Sequence, residues 1–255
     1  MRNIPVLLRR EWSAYFTSIV GYVCVMIFLL VMGFFFVAVV ARVLTQDGPS
    51  DLTPIQGLFY FSWVPVLFVV PALTMRLFAE EKRSGTVEML MTAPVSDYEV
   101  VLAKYLGAVL LYLVMWSITI LYAFILEYFS SGTSGLDFGP MWGGYLCMAL
   151  MGQFFIALGL LASSLTKNQV IAFILSFAAI CVYVFGPLLT PSILGGLKLF
   201  EADAVRPLVS YFSIFDQIMD FSRGMIDVRP LVLYGTGSVF VLFLTTRVVE
   251  SRKWR

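Results

Sequence analysis

Of the 255 residues, 60% are hydrophobic, 13% are charged and none is histidine, and the formal net charge is +1. Soluble domains run at about 45–50% apolar and about 25% charged, so this composition belongs to a chain that lives largely in lipid. It excludes a nucleic-acid binder, which would carry a basic run, and any histidine-based metal site or serine–histidine triad.

Residues 1–18 read as a helix lying in the cytoplasmic interface. In "NIPVLLRREWSAYFTSIVGY", Ile4, Leu7, Leu8, Trp12, Tyr15, Phe16 and Ile19 recur at helical spacing on one side, while Asn3, Arg9, Arg10, Ser13 and Thr17 occupy the other. Such a helix sets Trp12 at headgroup level and Arg9 and Arg10 among anionic lipids. Glu11 falls on the apolar side and must find a partner or reach water. The segment serves as an anchor in lipid, or as an anchor that also touches a cytoplasmic partner.

Six stretches meet or approach the roughly 20 apolar residues needed to cross about 30 Å of hydrocarbon. They are Ile19 to Ala41, Leu58 to Leu77, Val100 to Leu126, Met141 to Ser163, Val170 to Leu189 and Leu231 to Thr246. The last is short and is expected to borrow a turn on each side. Because the first apolar run starts only at Ile19 and is too long for a signal-peptide core, it is expected to be retained. Lys104 stands one turn inside the third span, where snorkelling would bring its ammonium to the interface. Pro65 and Pro71 predict kinks in the second span, and Pro187 and Pro191 a close to the fifth. Gly143, Gly144, Gly152 and Gly159 permit close helix approach in the fourth. Cys24, Cys147 and Cys181, each alone in an apolar stretch, read as small buried hydrophobes.

With the N-terminus inside, twelve Lys and Arg residues fall in cytoplasmic segments and five (Arg42, Lys198, Arg206, Arg223 and Arg229) outside, which predicts both termini in the cytoplasm. The tail 247–255 is then a basic cytoplasmic end.

Between spans two and three, residues 79–98 are conspicuously polar. Glu80, Glu81, Lys82 and Arg83 precede Gly85, which is placed to cap a short helix Thr86 to Met91 with Glu88 in its first turn; Pro94 forbids much continuation. Ser96 and Glu99 form a capping-box signature that opens span three. Val87, Leu90 and Met91 add an apolar patch that a merely solvated hairpin does not need, and that a helix docking into a groove on a cytoplasmic protein does.

The segment 195–229, outside, is long for a loop in a compact membrane domain. After Pro207, Leu208, Tyr211, Phe212, Phe215, Ile218 and Met219 recur at three and four, and Arg223 and Gly224 follow. This predicts an amphipathic helix that starts near Pro207, ends at Gly224, and lies on or dips into the outer leaflet. The fold class is therefore an all-α membrane protein with six spans, an N-terminal interfacial helix, a short cytoplasmic helix between spans two and three, and an outer amphipathic helix.

Chemistry of its own is hard to find. The phosphate loop G-x-x-x-x-G-K-[ST] and Gly-x-Ser-x-Gly are both absent, and the central parts of the spans carry no ionisable residue to mark an ion path. Energy for any uphill transport must come from a partner.

The segment "RLFAEEKRSGTVEMLMTAPVSDYEVVLAKYLGA" resembles the link between the second and third spans of ABC-2 type permeases, the membrane subunits of ATP-binding-cassette transporters. Glu80, Glu81, Gly85, Thr86, Glu88, Leu90, Pro94 and Lys104 match that family's pattern. The six-span layout, the N-terminal helix and the segment "FDQIMDFSRGMIDVRPLVLY" extend the resemblance over essentially the whole chain. Within the family the chain looks closest to the gliding-motility-associated permease branch and its NosY-like relatives. The resemblance implies an exporter in a bacterial cytoplasmic (inner) membrane. Its short helix would be a coupling helix seated in a separate ATPase subunit that binds ATP and Mg, with no cofactor on this chain. A second permease copy completes the assembly, and an extracytoplasmic accessory subunit is compatible with the long outer segment. The alternative is a membrane scaffold that transmits force from the ATPase to an outer partner without moving a solute.

Overall fold

The computed structural model describes residues 4–45, 53–85, 96–129, 137–197 and 211–251. All regular structure among them is helical, and six stretches are long and apolar enough to cross a membrane: Ile19–Val43, Trp63–Ser84, Asp97–Tyr128, Phe138–Leu165, Gln169–Leu189 and Val228–Glu250. The chain is an all-α, multi-pass membrane protein.

Helix α1 (Ile4–Thr17) bends at Ser18 into α2 (Ile19–Thr45), the first span. Ser18 Oγ accepts from the Val20 amide and so opens the new helix. The second span is divided. Thr53 caps α3 (Pro54–Phe61) in a reciprocal capping box with Gln56, and α4 (Trp63–Thr74) follows after Ser62. Pro65 has no amide hydrogen to give the Phe61 carbonyl, which places the interruption one turn before the proline. A turn over 75–78 leads into α5 (Ala79–Ser84). Span three is α6 (Asp97–Phe129), where the Glu99 carboxylate accepts from the Ser96 amide as the capping signature requires.

Spans four and five are α7 (Phe138–Leu165) and α8 (Gln169–Leu197). Contrary to the expectation that Pro187 and Pro191 close span five, α8 runs through both to Leu197. Each proline removes one amide bond, and the rest of the ladder carries the helix on. The outer segment is helical at Tyr211 and Phe212 and again, after Ser213 as side-chain N-cap, in α9 (Ile214–Ser222), and Gly224 at φ 81° follows the end as foreseen. The stretch around Pro207 lies outside the described residues. Span six, α10 (Val228–Glu250), gains the turns at each side that its apolar core lacks.

The two ends of the bundle carry different elements. At one, α1, α5, the start of α6 and the end of α7 meet. At the other, α9 packs on α3 and the start of α7: Gln56 Nε2 donates to the Ser222 carbonyl at 3.2 Å, and the Tyr234 hydroxyl donates to Gln217 Oε1. Ile214, Gln217, Ile218 and Phe221 are buried there, so α9 is seated on the bundle by this face. Helix α7 is the central post, and its glycines let neighbours close in. The Tyr112 ring of α6 occupies the space a Cβ on Gly152 would need, and its hydroxyl donates to the Met148 carbonyl at 3.0 Å.

Gly152→Ala should therefore force Tyr112 aside at a cost of about 1–3 kcal/mol, read as a lower midpoint in thermal unfolding of the detergent-solubilised protein. In a Cys181→Ala background, Arg83→Cys and Asp216→Cys should react with an impermeant maleimide from opposite faces of sealed vesicles. Reaction from the same face would contradict the six-span path.

Candidate functional site

The charged residues at the α1 end form a connected network. Lys104 does not snorkel: it is 2% exposed, and its Nζ lies 2.7 Å from Glu81 Oε1 and 3.2 and 3.3 Å from the two Glu11 carboxylate oxygens. The Phe78 ring centroid stands 5.4 Å from the same ammonium. Two carboxylates aimed inward outweigh the interface, because they replace hydration at shorter reach than a side chain stretched to water. Glu11, the residue that broke the apolar face of α1, thus finds its partner inside the protein. Arg10 completes the group, with Nη2 at 2.8 Å from Glu11 Oε1 and 3.6 Å from Glu81 Oε1.

A second set of bonds fixes α5 to span four. Phe78 at the start of α5 offers no capping side chain, and Ser163 of α7 supplies one across the bundle. Its Oγ accepts from the Phe78 and Ala79 amides, both at 3.1 Å, and donates to the Met75 carbonyl at 3.1 Å. One turn on, the buried Lys82 donates to the Ser164 carbonyl. Arg76, just before α5, donates to Ser18 Oγ at 3.2 Å and stands 3.8 Å from Glu80. A helix of six residues is too short to be stable alone. This one is held by α1, α6 and α7 together.

Of the residues the sequence marks for partner contact, Glu81 and Lys82 are engaged within the chain, while Glu80 and Arg83 are exposed. Gly85 takes φ 74° and closes α5, whereas its expected role was to begin the helix after it. Thr86, Val87, Glu88, Leu90, Met91 and Pro94 lie outside the described residues. Arg9 is exposed, and Trp12, half-buried, packs on Phe16 with centroids 5.0 Å apart. Ile218 is fully buried at the opposite end, Phe212, Phe215 and Met219 are half-buried, and Arg223 is exposed. Phe215 stacks edge-on against Trp63 at 5.7 Å. Ser163, Ser164 and Arg76 escaped sequence reasoning, since a serine pair at the end of an apolar run has many innocent readings.

Lys104→Met should leave two carboxylates facing each other in a poorly hydrated place and destabilise the protein by about 3–5 kcal/mol. Adding Glu11→Gln should restore part of that loss, and a double-mutant cycle by denaturant titration in detergent measures the coupling. Additive effects would show that the pair is not coupled.

The family model for the ABC-2 family transporter protein matches residues 50–246, from just before α3 almost to the end of α10. No curated protein matches the chain. A match over that much of a six-span bundle leaves one conclusion, that this chain belongs to the ABC-2 transporter family.

Proposed function

We propose that the chain is the energy-receiving permease subunit of an ATP-binding-cassette exporter, driven by a separate ATPase through residues 79–98. The observation that carries this reading is the attachment of α5 to three other elements, by Glu81 to Lys104 of α6, which also pairs with Glu11 of α1, and by the Phe78 and Ala79 amides to Ser163 of α7. A push on the segment following α5 would be delivered to α1, α6 and α7 at once, because none can shift without breaking a buried polar contact. Catalysis, ATP and Mg belong to the ATPase in this scheme, and the short helix Thr86 to Met91 is the contact. Both termini face the cytoplasm of a bacterial inner membrane, and the branch is the gliding-motility-associated one. A second permease copy completes the unit; the outward faces of α2 and α8, which expose Met26, Phe34, Ile174 and Val182, are available to it or to lipid.

One feature favours force transmission to an outer partner as a second reading. Helix α7 touches α5 at its end through Ser163, and α9 at its start, where Gly143 lies against the Phe221 carbonyl. A single rigid helix thereby spans from the driven end to the outer helix.

Arg83→Glu and Glu88→Lys should each lower the amount of ATPase that co-purifies, and permease-stimulated ATP hydrolysis, by about tenfold, the loss of one or two charged contacts. Membrane insertion should be unchanged. Undiminished association in both variants would overturn the coupling assignment. Glu81 is a poor probe, because its removal also unpairs Lys104.

A further inference from the structure

Where α1, the start of α2, the end of α4 and α5 converge, a cavity of about 280 Å³ opens beside the ion network. Its lining is of two kinds. Val20, Leu73 and Leu77 form an apolar wall, and Tyr15, Arg76 and Glu80, together with the Glu11 and Glu81 carboxylates of the ion network, bring polar groups to it. Lys104 also lines it, but its charge is already matched by Glu11 and Glu81.

Among the polar atoms here, the Tyr15 hydroxyl and Arg76 Nε are buried and make no hydrogen bond. Buried donors without acceptors are costly, and native structures rarely leave them so. Burial first, and the Glu11 carboxylate second, push the Tyr15 hydroxyl above its ordinary range, so it keeps its proton and acts as a donor. Both atoms therefore call for an acceptor oxygen, and a phosphate oxygen can accept from an arginine and a hydroxyl together. One helical turn away, the Glu80 carboxylate is half-exposed and stands 3.8 Å from Arg76 Nε, beyond hydrogen-bond range. It offers acceptors to a cation. The cavity lies where α1 turns into the first span, the place at which an interfacial helix would bring lipid headgroups beside it.

We propose that this cavity binds the headgroup of a membrane phospholipid bearing a phosphate and a primary ammonium, that is, a phosphoethanolamine lipid. The phosphate accepts from Arg76 and Tyr15, the ammonium donates to Glu80, and the first apolar carbons lie along Val20, Leu73 and Leu77. A trimethylammonium headgroup has no N–H for Glu80, and a glycerol headgroup has no cation for it. The site is built by α1, α2, α4 and α5 within this chain and does not rest on the ATPase reading, so either can fail without the other.

The test is native mass spectrometry of the full-length protein in detergent with equimolar dioleoyl phosphatidylethanolamine, phosphatidylcholine and phosphatidylglycerol. The ethanolamine lipid should be retained preferentially, one per chain. Arg76→Gln should reduce that retention about tenfold and Tyr15→Phe about three- to fivefold, as loss of a charged and of a neutral hydrogen bond would. Thermal melts of both variants check that the fold is intact, and the isosteric Tyr15→Phe keeps the proposal testable where Arg76→Gln fails that check. Equal retention of the three lipids, an adventitious additive only, would overturn the proposal, as would unchanged selectivity in the folded variants. Displacement of the lipid by the same concentration of soluble O-phosphoethanolamine would overturn its membrane source.

Discussion

An ammonium group taken out of water loses several kcal/mol of hydration unless carboxylates and dipoles replace it, and Lys104 obtains that replacement from two distant parts of the chain. Glu11 comes from the helix before the first span and Glu81 from the helix after the second. Each carboxylate is acceptable in its place only because Lys104 and Arg10 are there, and Lys104 is acceptable in an apolar helix only because they are. The mutual dependence ties α1, α5 and α6 more specifically than apolar contact could. Hydrophobic packing tolerates small sliding at little cost, whereas an ion pair at 2.7 Å does not.

The opposite side of α5 is held by different means with the same effect. Helix starts leave amides without partners, and in lipid or at its edge no water is certain to supply them. Ser163 meets the Phe78 and Ala79 amides and at the same time returns its own proton to Met75. Since Ser163 is part of α7, the cap exists only while α5 and α7 keep their relative position. Glycines further along α7 bring α6 and α3 close, with Tyr112 over Gly152 and Phe59 over Gly144. Movement at α5 is therefore expected to pass into the central helix as a rigid-body shift, not to be absorbed by local rearrangement.

Much of this architecture is legible in the sequence because the bilayer allows so few solutions. Apolar runs of sufficient length are candidate spans, and the helices long and apolar enough to cross number six among the described residues, with the second displaced from Leu58–Leu77 to Trp63–Ser84. Local chemistry was readable too: Glu11 on an apolar face needed a partner or water, and Gly224 after an amphipathic run marked the end of α9. What stayed hidden depends on contacts between remote positions. A lysine one turn inside a span has two ways out, to the interface or to a carboxylate, and periodicity does not say which. Gly85 fits the start of one helix as well as the end of another, and only its left-handed φ of 74° shows that it closes α5. The division of span two arises from Pro65 acting on a carbonyl four residues earlier, so the break at Ser62 precedes its cause in the chain.

The placement of charge bears on how such a subunit can be driven. Ionisable groups at mid-membrane depth would make conformational change expensive, because each would need to keep its partners throughout. Here the described ion pairs gather mainly at the α1 end, where water is near, while the contacts along the spans are glycine, aromatic and hydroxyl packing. Several threonines in the spans bond back to their own helices, as Thr74 does to the Val70 carbonyl and Thr245 to the Val241 carbonyl, so sliding past a neighbour breaks none of those bonds, while tyrosines such as Tyr112 and Tyr122 bond across to Met148 and Leu29. The bundle thus combines one end that is specifically latched with a long interior whose helices can change their mutual tilt at moderate cost. An external energy source acting on the latched end has leverage over that interior.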